Sequence, residues 1–171
     1  MASDFTVIQA VRQRFGANDL ASYNGERHID WDSPFVGLSK EFPFACPNID
    51  AQQWAVLQFE SVGVNVGAFG TANPLPWNPD TNIIRINGTD VPGGIKAGPH
   101  VVFDNKAFPL WKSHSLLVAG RTLREQNVLR IESVGIGFGG KDGFIIDNVV
   151  MFYKTRVQQG ANTVANSPQT P

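Results

Sequence analysis

At 171 residues, 42% of them hydrophobic and 17% charged, the chain is long and apolar enough to bury one sizeable core. Its 14 Lys and Arg against 15 Asp and Glu leave a formal charge of −1 with no dense basic run, which excludes a phosphate-backbone binder. The single cysteine, Cys46, excludes an intrachain disulfide and a Cys-rich zinc site, and reads as a small buried apolar residue.

Near the N-terminus, Phe5, Ile8, Val11 and Phe15 fall close to helical spacing after Ser3 or Asp4 as an N-cap, and Gly16 ends the pattern. A short amphipathic helix is expected there, within an N-terminal arm over 1–24. It either closes the core or docks a protein partner. The same segment lacks a basic region followed by an apolar run, so no signal peptide is expected, and no stretch reaches the length of a membrane span.

His28-Ile29-Asp30-Trp31-Asp32 alternates as a first short strand, and the two prolines of Phe42-Pro43-Phe44-Ala45-Cys46-Pro47 confine that piece to a sheet edge or an extended segment. Trp54 to Val66 is the first strong strand, with Trp54 expected in the core and Gly63 and Gly67 marking a bulge or bend. A Gly-, Asn- and Pro-rich loop follows over 68–81. Asn82-Ile83-Ile84-Arg85-Ile86 is a strand, and Asn87-Gly88 is the strongest two-residue hairpin signal in the chain. A looser segment over 92–112 leads to a strand over Ser113 to Val118 and a turn at Ala119-Gly120.

Val128, Arg130 and Glu132 then alternate with Leu129, Ile131 and Ser133, and a turn at Gly139 to Gly143 opens into the apolar run Phe144 to Tyr153. After Arg156 the composition turns to Gln, Gly, Ala, Asn, Thr, Ser and Pro, so the tail over 155–171 is expected to be disordered. About seven to nine short strands with Gly and Pro punctuation make an all-β, two-sheet antiparallel sandwich over 25–154. Candidates for its core are Val56, Leu57, Phe59, Ile84, Ile86, Leu117, Leu129, Ile131, Ile146, Val149 and Met151. Neighbours on a strand face opposite ways, so Val56 and Leu57 cannot both face one core.

Three pieces in this order resemble galactose-binding-like jelly rolls, the fold of many carbohydrate-binding modules. They are Ile83-Ile84-Arg85-Ile86-Asn87-Gly88-Thr89, the Leu116 to Ile131 strand pair with Gln126-Asn127-Val128-Leu129-Arg130-Ile131, and the closing strand Phe144 to Tyr153. The resemblance covers roughly 54–154 and implies a jelly-roll sandwich. The family also includes adhesion modules and purely structural domains. It further implies a structural calcium ion, for which Glu26, Asp30 or Asp32 would meet Asp147. No ligand loop is spelled out, so the expectation is no cofactor, with calcium the one alternative.

No catalytic set stands out. His28, His100 and His114 are scattered without metal-ligand spacing, and there is no Gly-x-Ser-x-Gly elbow. Asp30 and Asp32 would sit side by side on one strand face, whereas glycosidase carboxylates work across a cleft. Gly135 to Gly140 lacks the Lys-Ser/Thr of a phosphate loop and lies between strands. A non-enzyme is expected.

Sugar recognition needs an aromatic face for the C–H side of a pyranose and planar polar groups for its hydroxyls. Trp77 and Trp111 lie in or after Pro-containing loops, with Asn73, Asn78, Asp80 and Asn82 nearby. The expected ligand residues are Trp77, Asn78, Asp80 and Trp111, and the candidate metal residues are Asp30, Asp32 and Asp147. The chain thus reads as a non-catalytic, lectin-like sandwich module with a glycan partner. The alternative is a structural or interaction subunit of a larger assembly (a particle, appendage or phage-like component) with no small ligand.

Overall fold

The computed structural model describes residues 2–16, 33–64, 82–96, 98–103, 106–137, 140–141 and 143–156. Among them are fourteen strands and one 3-10 turn, and no α-helix. The long apolar run Phe144–Thr155 (β14) forms the spine of the larger sheet. Its apolar residues leave neither edge suited to water, and both edges are paired. On one side lies β5 (Trp54–Val62), with Ile145 opposite Val62 and Phe152 opposite Val56. On the other side lie β2 (Gln13–Phe15) near the start of β14 and β1 (Ala2–Gln9) along the rest. β10 (Lys112–Ala119) extends this six-stranded sheet beyond β5, and β3 (Phe35–Gly37) pairs in parallel with β2.

The smaller sheet runs β4 (Ser39–Ala45), β11 (Gln126–Glu132), β6 (Ile83–Ile86) and β7 (Thr89–Asp90), all antiparallel. Pro43 does lie on an edge strand, β4, as a residue without an N–H requires. Asn87 and Gly88 join β6 to β7 with φ of 51° and 80°, the left-handed pair that suits the twist of a two-residue hairpin. The Asn87 amide also donates to the Thr122 carbonyl and to Asn127 Oδ1, at 2.8 and 2.9 Å, and so ties the turn to the start of β11. Two further hairpins are β8 (His100–Phe103) with β9 (Lys106–Pro109), inside the segment expected to be loose, and β12 (Gly135–Gly137) with β13 (Gly140–Lys141).

The core lies between the two sheets. Leu57, Phe59, Ile146, Val149 and Met151 face Ile84, Ile86, Leu129 and Ile131 across it, and Phe15 stacks on Phe144 with ring centroids 5.0 Å apart. The outer face of the smaller sheet is a charged ladder. Arg85 bonds Asp90 and Glu132 at 2.7 and 3.1 Å, while Arg130 reaches Glu132 and Glu41 at 3.3 and 3.4 Å. Such exposed pairs add little stability but mark a face built for water.

The expected N-terminal helix is a strand. β1 runs antiparallel to β14 from Ala2 opposite Thr155 to Val7 opposite Val150, so residues 2–15 belong to the larger sheet and the helical docking tail is absent. Phe5, Ile8, Val11 and Phe15 match a helical stripe, but β-branched Thr6, Val7 and Ile8 also suit a strand, and the open edge of β14 decides between them. Three core expectations also fail, and the first is Val56, which is half-buried on the outer face of β5 with Gln58 and Glu60. Leu117 is 62% exposed because the opposite face of β10 points inward, with Val118 and His114 buried and Leu116 packed against the core. Trp54 is 64% exposed at the outer start of β5. The strand expected over 28–32 and the tail after Arg156 lie outside the described residues. No helix among the described residues is long and apolar enough to cross a membrane.

Candidate functional site

Trp54 shares its face of β5 with Gln58 and Glu60, so the strand's own alternation turns the indole outward. Just before it, Asp50 shapes the chain. Its carboxylate accepts the Gln52 N–H at 3.1 Å and its carbonyl accepts the Gln53 N–H at 3.0 Å, which presents both glutamines beside the indole. The turn after β10 packs against this loop. A Cβ on Gly120 would overlap the Gln53 carbonyl oxygen and come within 2.9 Å of that of Ala51, so only glycine allows the approach. The result is an open cleft of ≈ 390 Å³ lined by Trp54, Gln52, Gln53 and Arg121, with Ala51, Ala119 and Gly120 behind them. It combines an aromatic wall with two amides and a guanidinium.

The outer face of the larger sheet carries a second, polar cleft of ≈ 330 Å³ around Glu60, Ser113, Ser115, Gln58 and Asn148. Asn148 sits in a bulge of β14 at φ 52° and donates from its side chain to Glu60 at 3.0 Å. His114 borders this cleft from the core side. Its Nε2 lies 2.8 Å from the Ser61 hydroxyl, yet Ser61 is 1% exposed, so that hydroxyl is a core hydrogen-bond partner out of reach of a substrate. Burial, with Lys112 adding to it, lowers the His114 pKa from 6.5 to about 4.

Of the residues expected from sequence, Trp77, Asn78, Asp80, Asp30 and Asp32 lie outside the described residues. Trp111 and Asp147 are brought together through Arg12. Its guanidinium lies 5.0 Å from the Trp111 ring centroid and its Nε bonds Asp147 Oδ2 at 2.9 Å. The second Asp147 oxygen accepts the Asn148 N–H at 2.9 Å. Both oxygens thus serve donors, and among the described residues no group of three or more His, Cys, Asp or Glu is placed to hold a metal ion. The calcium site that the resemblance implies also needs Glu26, Asp30 or Asp32, which lie outside the described residues. Trp54 and Arg121, which line the open cleft, were not among the expected site residues. The available signal was the run Trp54, Val56, Gln58, Glu60, whose two polar members show that this face meets water.

No family model, curated protein or solved structure matches the chain.

Proposed function

We propose that the chain is a galactose-binding-like jelly-roll module that binds carbohydrate without catalysing its turnover. The observation that carries this reading is the exposed Trp54 beside Gln52, Gln53 and Arg121 in one open cleft. The indole supplies an apolar platform for a sugar ring, and the amides and guanidinium supply donors and acceptors for its hydroxyls. The cleft stands at one end of the sandwich, where recognition occurs in a fold whose interior is filled by side chains. The buried Ser61 and His114 favour a non-catalytic role, since neither meets a nucleophile's need for access.

A glycan array probed with the wild-type chain and with Trp54→Ala tests the reading. Losing an exposed indole from a sugar contact costs on the order of 1–3 kcal/mol, so binding should fall by about fivefold to a hundredfold while the melting temperature stays nearly unchanged. Binding that survives Trp54→Ala, or is lost only in Trp77→Ala, moves the site to the loop over 68–81. A wild-type chain that binds no glycan overturns the function. The second reading, an interaction subunit of an assembly, is favoured by a separate feature, the apolar residues on the outer face of the larger sheet.

A further inference from the structure

Four apolar side chains form one row across that outer face. Leu117 on β10 is opposite Val56 on β5, Val56 is opposite Phe152 on β14, and Phe152 is opposite Phe5 on β1. Leu117, Phe5 and Phe152 are 62%, 58% and 41% exposed. Phe5 and Phe152 touch each other, with centroids 6.0 Å apart. The adjacent row adds Val7, itself 52% exposed, opposite Val150. The smaller sheet's outer face bears a ladder of charges, so this stripe is a property of one face and not of the surface in general.

We infer that a second copy of this chain docks on this face. An exposed apolar patch of this kind offers about 400 Å² per copy, in the size range where a monomer's largest patch is often functional. Two copies would bury about twice that in apolar contact alone. With the polar rim, the pair reaches roughly the 1,000 Å² that a specific but weak association must clear.

The stripe is also self-complementary. A two-fold axis in the plane of the face, parallel to the strands and between β5 and β14, sets Leu117 of one copy over Phe5 of the other, and Val56 over Phe152. Sheets stack face to face in this way in sandwich cores. The residues beside the stripe, Gln58, Ser115 and Ser3, are uncharged, and Lys154 at its margin donates to Ser3 at 2.7 Å. The two-fold sets Lys154 of one copy over Trp54 of the other and not over a second lysine, so two such faces meet without like-charge repulsion. Trp54 lies two residues from Val56 on the same face, so docking would border the cleft, and docking and sugar binding are separated by substitutions at Phe5 and Leu117, which do not line it.

Sedimentation equilibrium of the full chain, from low micromolar to several hundred micromolar, tests it. The average mass should rise from monomer to dimer with concentration. Phe5→Ser and Leu117→Gln, each at an exposed position, should raise the dimer dissociation constant by about tenfold or more. Val128→Ser, on the exposed outer face of the smaller sheet, should leave it unchanged. A monomer at every concentration overturns the inference, as does a dimer indifferent to both stripe substitutions. Wild-type monomer that co-sediments with phosphatidylcholine vesicles would instead give the face to lipid.

Discussion

His114 shows how one side chain can tie stability to pH. Its ring stacks on Phe59 at 4.5 Å and its Nε2 meets the Ser61 hydroxyl, so protonating it places a charge in the core. The folded chain accepts that proton only near pH 4, whereas the unfolded chain accepts it near 6.5. The folded pKa is the lower of the two, so His114 contributes its full stability above about 6.5 and loses it as pH falls toward 4. The loss is on the order of 3 kcal/mol. Urea melts between pH 7.5 and 4 should show this decline. The double substitution Ser61→Ala with His114→Leu, which removes both polar partners, should flatten it, and an equal slope in both proteins would point to another group.

Cys46 makes a simpler case. It is fully buried and burial pushes its thiol up to about 12, so a thiol reagent should modify it only on unfolding. Labelling of the native chain at the rate of a free thiol would contradict the packing around β4.

Among the elements, β1 and the turn after β10 carry the sharpest expectations. β1 is paired along β14 and also reaches the other sheet, since the Thr6 hydroxyl donates to the Ala45 carbonyl at 2.6 Å. Deleting residues 2–9 exposes one edge of β14 and should lower the melting temperature by many degrees. If the truncated chain melts like the whole one, β1 is a dispensable arm. Gly120→Val should cost several kcal/mol, because a side chain there collides with the backbone of residues 51 and 53. A melting temperature within a degree or two of wild type would show that the loop yields.

These two elements also show what the sequence could and could not reveal. β6, β11 and β14 were readable because alternation, the Asn87-Gly88 turn and β-branched runs are local signals. β1 was not, because four apolar residues fit a helical stripe while Thr6, Val7 and Ile8 suit a strand, and only the free edge of β14 decides. Leu117, Val56 and Trp54 lay in correctly placed strands with the wrong face assigned. Both strands have apolar residues on each side, so the phase was ambiguous. The cleft was harder still, since it joins residues 51–54 to 119–121, two turns far apart in sequence that Gly120 alone lets touch.

At the scale of the molecule, the two sheets share one core but show solvent two different faces. The smaller presents ion pairs, whereas the larger presents an apolar row flanked along the strands by polar groups on one side and the Trp54 cleft on the other. Sugar binding at that cleft is the central claim, and the chain's four tryptophans make it separable by residue. The direct measurement is the set of indole N–H resonances in a nitrogen–proton correlation spectrum, with Trp54 assigned through Trp54→Phe, as mono- and oligosaccharides are added. Saturable movement of the Trp54 indole, with the others still or moving less, is the expected result. A Trp54 resonance that stays fixed, whether every indole is fixed or another moves in its place, would contradict it.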